Sequence, residues 1–301
     1  MKERLAICSV ITNDFVDYLE VLTKSILESC PDFDRDYLVF YWKGDMKDID
    51  FCKLNKIYSN FIFKEVDEKN YSALTDESHK KNIKRHTKIK IFAYARIEMF
   101  KQIEYEQIIY FDVDMIVNKN ISELLNLRYD EGIIASEDVL VKIYDLVDNN
   151  IYKKDHIVQG GVIVAGKKVI NLEVYNDLIN LLINSDNYRL NDQSMFIDYF
   201  GKKNIIKKLD FLFNCPRKLI RDKKVNLNQV YIIHFSGTTK PYDVATKRFN
   251  YDCYTFKNWH NIKRRIKGEN KILIFSKAFI YWKSFIYLKN KFKNLVKFKF
   301  N

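Results

Sequence analysis

Glycine and proline are scarce in this chain. Its 301 residues hold eight glycines and three prolines, where ordinary usage would give about 21 and 15. The shortage excludes collagen-like, linker-rich and low-complexity chains, and it makes each remaining Gly or Pro informative. The five cysteines (8, 30, 52, 215 and 253) are odd in number and include no C-x-x-C pair. That disfavours a disulfide framework or a zinc site and fits a reducing cytosol. No apolar run is long enough to cross a bilayer. Leu5–Ile11 is apolar but ends in Thr12-Asn13-Asp14 without a small-residue cleavage site, so no signal peptide is expected. Also missing are G-x-G-x-x-G and G-x-x-x-x-G-K-[ST], hence neither a dinucleotide fingerprint nor a P-loop is expected.

The chain is 47% hydrophobic and 30% charged, enough for a large core and too apolar for wholesale disorder. Its formal charge of +12 is unevenly placed. Residues 257–301 hold 13 of the 51 Lys and Arg and a single acid, Glu269, so the entire excess lies there. A neutral body with a basic tail points to an electrostatic anchor on a polyanionic surface. Nucleic acid is not expected, because the body offers no second basic surface.

Hydrophobic patterning alternates strands and helices over about 240 residues, without internal repeats. Strands are expected at Arg4–Ile11, Tyr37–Trp42, Asn60–Val66, Gln107–Val117, Ile133–Ser136, Ile157–Val164 and Val230–Phe235. Helices are expected at Asp17–Glu28, Thr87–Ile103, Val169–Ile183 and Asn191–Phe200, with a polar loop over 67–88. The alternation argues for an α/β fold with a mixed sheet flanked by helices.

Two stretches carry chemistry. The first is the strand Ile108–Val117, which holds Asp112-Val113-Asp114 within an apolar run. Residues two apart on a strand share a face, so the carboxylates would sit side by side and repel unless a cation stands between them. Hard oxygen ligands suit Mn²⁺ or Mg²⁺, which bridge to phosphates. A strand end with two solvated acids is the other reading of a bare D-x-D. The second stretch is His234-Phe235-Ser236-Gly237-Thr238-Thr239-Lys240-Pro241. There Gly237 would let backbone amides approach an anion, Lys240 would bring a point charge, and His234 could complete a metal site.

An apolar strand running into D-x-D, followed late by H-F-x-G-x-x-K-P, resembles glycosyltransferase family 8. That group includes glycogenin and bacterial lipopolysaccharide galactosyl- and glucosyltransferases. Further segments agree in order: Val10-Ile11-Thr12-Asn13-Asp14-Phe15, Tyr94-Ala95-Arg96-Ile97, Gln159-Gly160-Gly161-Val162 and Asn191-Asp192-Gln193. Gln159 stands where the family usually has Asn, and Thr12 where some bacterial members have Asp. The likeness covers roughly residues 4 to 245. It implies a GT-A fold, a UDP-sugar donor, Mn²⁺ (or Mg²⁺), and transfer with retention. It further implies that Asp112, Asp114 and His234 bind metal, with Val113 between the two acids. Gly237 and Lys240 would contact the diphosphate, and Val10, Thr12, Asn13 and Phe15 the uridine. Arg96, Gln159, Gly160, Asp192 and Gln193 would contact the donor sugar, the last two next to the reacting carbon, and Asp138 would stand on the acceptor side.

The expected organisation is a catalytic domain over 1–245 and a basic, aromatic-rich amphipathic helical segment over 246–301. Ile272, Phe275, Phe279, Trp282 and Ile286 recur at helical spacing among lysines, which suits either an anionic bilayer surface or packing on the domain. The leading expectation is a cytoplasmic enzyme, peripheral at the inner face of the cell membrane, that extends a surface glycan or glycolipid acceptor. A glycogenin-like self-glucosylating primer, or a non-catalytic membrane-surface protein with a decayed sugar-nucleotide fold, are the alternatives. A metal-dependent phosphohydrolase would need more carboxylates or histidines than the sequence groups together.

Overall fold

Leu5–Ile11 forms β1, buried along its length except for the first residue, as a strand covered on both faces must be. Nine strands follow: β2 Asp36–Trp42, β3 Phe61–Val66, β4 Gln107–Phe111, β5 Met115–Val117, β6 Ile133–Glu137, β7 Val158–Gly166, β8 Ile206–Leu209, β9 Cys215–Pro216 and β10 Ile232–His234. The computed structural model describes residues 3–67, 69, 71, 94–140, 157–184, 192–237, 240 and 253–268. These fall into two compact units, one ending at Phe235 and one beginning at Ser236.

The first unit contains a seven-stranded sheet in the order β3-β2-β1-β4-β7-β6-β8 and a three-stranded sheet in the order β5-β10-β9. In the larger sheet β7 runs against β4 and β6, and every other pairing is parallel. The C-terminal ends of β1, β4 and β6 therefore share one edge with the N-terminal end of β7. That edge is where open α/β sheets place their ligands.

Amphipathic helices cover the sheet. Val16–Ser29 buries Leu19, Leu22 and Ile26, spacings of three and four that make one stripe. Its Ser25 hydroxyl accepts the Val117 amide of β5 at 3.0 Å, tying the helix to the small sheet. Leu172–Asn184 buries Val174, Tyr175, Leu178 and Leu182 on one face. It meets the segment Tyr94–Lys101 through Glu98, a buried carboxylate that accepts the hydroxyls of Tyr71 and Tyr175, both at 3.1 Å. Lys101 also pairs with Glu98. A buried carboxylate demands such partners.

Three expectations are corrected. The single strand over Gln107–Val117 is two strands in two different sheets, because the chain leaves the large sheet at Phe111 to enter the small one at Met115. Of the helix expected over Thr87–Ile103, residues 94–103 are described: Tyr94–Lys101 is 3-10, and Gln102 and Ile103 are not helical. The helix expected to reach Phe200 is α only over Asp192–Phe196 and continues as a π turn over Ile197–Gly201. Asn191, its expected cap, and most of the 67–88 loop lie outside the described residues.

In the second unit Cys253–Ile266 is a helix that buries Thr255, Trp259 and Ile262, with Lys263, Arg264 and Arg265 in its last turn. The aromatic stripe expected over 271–300 lies outside the described residues. Among the described residues no helix is long and apolar enough to cross a membrane.

Candidate active site

Between β4 and β5 the chain crosses from one sheet to the other on Asp112, Val113 and Asp114. Backbone hydrogen bonds pin both ends of the crossing. The Asp112 amide donates to the Gly161 carbonyl at 2.8 Å, and the Asp114 carbonyl accepts the Phe235 amide at 2.9 Å. Strand β10 runs antiparallel to β5 and sets His234 opposite Met115. Ligand atoms of Asp112, Asp114 and His234 consequently lie within 4.8 Å of one another. His234 Nε2 is 3.2 Å from Asp114 Oδ1 and 3.6 Å from Asp112 Oδ2. Asp114 and His234 are buried, as is Val113 between the acids.

Two carboxylates this close repel strongly in a poorly hydrated site, and a divalent cation relieves that repulsion. The donor set of two carboxylates and one imidazole fits Mn²⁺, and Mg²⁺ less closely because of the nitrogen. The oxygens of Asp112 are already divided between tasks. Its Oδ1 accepts the Tyr110 hydroxyl at 2.7 Å and the Arg96 guanidinium at 3.2 Å, which leaves Oδ2 on the His234 side.

Arg96 is buried and its placement is over-determined. It donates to the Gly160 carbonyl at 2.5 Å and lies 4.6 Å from the centre of the Tyr110 ring. Its charge also acts on Cys8 in β1, whose thiol burial pushes well above its usual range, with Arg96 opposing the shift. Cys8 is therefore a protonated, inert core residue.

Gly161 of β7 has a steric reason. The pairing of β6 with β7 jumps between Ala135 and Ser136, whose partners are Ile163 and Gln159. Gly160 and Gly161 fall in that irregular stretch. A Cβ on Gly161 would lie 2.7 Å from His234 Cε1 and 2.8 Å from Met115 Cε, so only glycine lets the ring reach its place.

The remaining expected residues sort by position. Gln159 is buried and its Oε1 has no hydrogen-bond partner. Gln193 donates to the Val158 carbonyl at 3.2 Å, tying the short helix Asp192–Phe196 to the start of β7; Asp192 itself is described by its backbone only. Asp138 directly follows β6, is buried, and accepts the Leu140 amide at 3.1 Å. Val10 is buried near the end of β1, and Thr12 precedes the 3-10 turn Asn13–Phe15 without a side-chain cap bond. Asn13 is exposed, while Phe15 lies 5.2 Å from the Tyr18 ring. Val10, Thr12, Asn13 and Phe15 lie at or just past the end of β1, Asp138 just past β6 and Gln159 at the start of β7, all on one sheet edge, while Asp192 and Gln193 belong to the helix Asp192–Phe196. Gly237 and Lys240 belong to the second unit, where Gly237 takes φ +93°, the left-handed region open to glycine. Thr238, Thr239 and Pro241 lie outside the described residues.

Sequence reasoning missed three residues of the site: Tyr110, Gly161 in its steric role, and Asn214. The Asn214 Oδ1 lies 2.8 Å from His234 Nδ1 and its side chain is fully buried. No local pattern flags an asparagine twenty residues before the histidine it meets.

Comparison with known proteins agrees with this architecture. The galactosyltransferase LgtC, solved with donor and acceptor sugar analogues, superposes with a TM-score of 0.66 at 16% identity, over 91% of this chain and 98% of LgtC. The bifunctional glycosyltransferase WbbM gives 0.62 at 17% identity over 89% of this chain, which spans only 52% of WbbM. The glycosyltransferase GlyE of Streptococcus pneumoniae TIGR4 gives 0.60 at 14% identity, over 89% of this chain and 64% of GlyE. At these identities the likeness is one of fold, and the fold is the GT-A arrangement expected from the sequence. No curated protein matches by sequence. The model of glycosyl transferase family 8 matches residues 6–245, four-fifths of the chain, and the protein is thus a glycosyltransferase of that family.

Proposed function

We propose that the enzyme moves a hexose, galactose or glucose, from a UDP-sugar to a surface-glycan acceptor such as a lipopolysaccharide or capsule precursor, with retention. Asp112, Asp114 and His234 would hold Mn²⁺, or Mg²⁺ in its place. The observation that carries this reading is the convergence of those three ligand atoms within 4.8 Å at the ligand-binding edge of the sheet. A divalent cation there would offset the charge that grows on the leaving diphosphate.

The chain's own residues would divide the rest of the work. Arg96 and Tyr110 hold Asp112 in one orientation. The unpartnered Oε1 of buried Gln159 offers an acceptor for a donor-sugar hydroxyl; such a group is costly to leave unmet. Gln193 commits its amide nitrogen to the Val158 carbonyl, so its oxygen is the atom left to face a developing sugar cation. An amide is a poor nucleophile, and its role is to stabilise rather than to attack. Uridine contacts at Val10, Thr12, Asn13 and Phe15, diphosphate contacts at Gly237 and Lys240, a donor contact at Asp192 and an acceptor contact at Asp138 follow from the family's motifs. The similar fold of LgtC, a galactosyltransferase, supports galactose among the donor sugars. Attachment to an anionic membrane surface at the cytoplasmic face rests on the composition of residues 257–301.

The test is release of UDP by the full-length protein from a panel of UDP-sugars, with and without Mn²⁺. A single UDP-hexose should release UDP at a rate that collapses in EDTA. Release from none of the panel, or equal release in excess EDTA, would overturn the reading.

A further inference from the structure

The imidazole of His234 is held from behind. Its Nδ1 lies 2.8 Å from Asn214 Oδ1. An amide oxygen has no proton to give, so Nδ1 carries the hydrogen and donates it. In a neutral ring Nε2 then keeps its lone pair. Nε2 is the atom that faces Asp114 Oδ1 at 3.2 Å and Asp112 Oδ2 at 3.6 Å. Three electron-rich atoms thus point at one place, and the opposite tautomer would put a proton there instead.

We propose that Asn214 is a positioning residue of the metal site, fixing the Nδ1–H tautomer of His234 and aiming Nε2 at the cation. The proposal rests on the reading of Asp112, Asp114 and His234 as metal ligands. Three features support it. Asn214 closes the 3-10 turn Phe211–Asn214, and the next two residues are β9, which pairs with β10 so that Cys215 opposes Ile233 and Pro216 opposes His234. The ring is therefore delivered by β10 and the amide by the residue that leads into its neighbour β9. On the Cε1 side of the ring, Gly161 leaves no room for even a methyl group, so the ring cannot swing toward β7. The last feature is the amide nitrogen of Asn214, which is buried without a hydrogen-bond partner. A side chain kept only to fill that space would be apolar; an amide with an unmet nitrogen is kept for its oxygen.

The test measures metal affinity rather than turnover. Full-length protein without nucleotide is titrated with Mn²⁺ while the paramagnetic resonance signal of the free ion is followed. Asn214→Leu should weaken binding by roughly 10–100-fold, the usual effect of losing such an outer partner. Asn214→Asp keeps an oxygen for Nδ1–H and should bind at least as tightly as the wild type. Wild-type affinity in Asn214→Leu would overturn the proposal, and so would a loss in Asn214→Asp equal to that in the Leu variant. Should circular dichroism show Asn214→Leu unfolded, Asn214→Asp decides alone: retained affinity supports the role and a tenfold loss refutes it. His234→Ala separates the two levels, since wild-type affinity there would remove His234 as a ligand and the metal-site reading with it.

Discussion

The crossing between β4 and β5 and the exit of β1 lie on the same sheet edge, yet they are built in opposite ways. At the crossing, Asp114 and His234 are buried and Asp112 is held by Tyr110 and Arg96. At the exit of β1, Thr12 makes no side-chain cap bond and Asn13 is exposed. Folding has already met the cost of ordering the first group, whereas a ligand would have to order the second. The difference assigns preorganisation to the part proposed to hold the metal and adaptability to the part proposed to receive the nucleoside.

The comparison breaks most visibly at the aspartates. Asp112→Asn or Asp114→Asn removes charge but little volume, so kcat/KM should fall by at least ~10³, or about 4 kcal/mol of transition-state stabilisation. Thermal unfolding should still show a cooperative fold; near-normal turnover would show that the two carboxylates are not needed for transfer. Gly161→Ala comes next. Its Cβ would collide with His234 and Met115, so Mn²⁺ affinity should drop by roughly 10–100-fold, with an overpacking cost of about 1–3 kcal/mol in stability. An unchanged metal titration would show that the ring has slack. The smallest effect belongs to the exposed side. Asn13→Ala should weaken UDP binding by about 0.5–1.5 kcal/mol and leave Mn²⁺ affinity without nucleotide untouched. If calorimetry finds both affinities changed together, the two halves of the edge are not separable.

Much of this was legible in the sequence, and the rest has physical reasons for being hidden. The D-x-D and the late histidine were found because their residue types are chemically restrictive. Strand alternation predicts that the two acids lie close, but they stand on a crossing between two sheets rather than inside one strand. The chain bends at Val113 and Asp114, and both carboxylates still meet His234. Tyr94–Lys101 reads as an α-helix because every residue from Tyr94 to Phe100 is buried, so no polar face marks the period. Strand β8 escaped notice because Lys207 and Lys208 fill half of it, as they can on an edge strand. The pairing of β5 with β10 joins residues more than a hundred positions apart, and nothing local announces it. Asn214 was invisible for the same reason.

The ladder between β5 and β10 has a consequence for how this chain can change. Val117, Ile116 and Met115 oppose Ile232, Ile233 and His234 in turn. A slip of one residue would carry the imidazole to the other side of the small sheet and bring an isoleucine to the carboxylates. Loop lengths between Pro216 and Ile232 can therefore drift without harm to the chemistry, but an added or lost residue inside the three-residue ladder cannot be absorbed. Tolerance to insertions should fall abruptly at Ile232 and again at Met115, a boundary set by pairing parity rather than by distance from the reacting atoms.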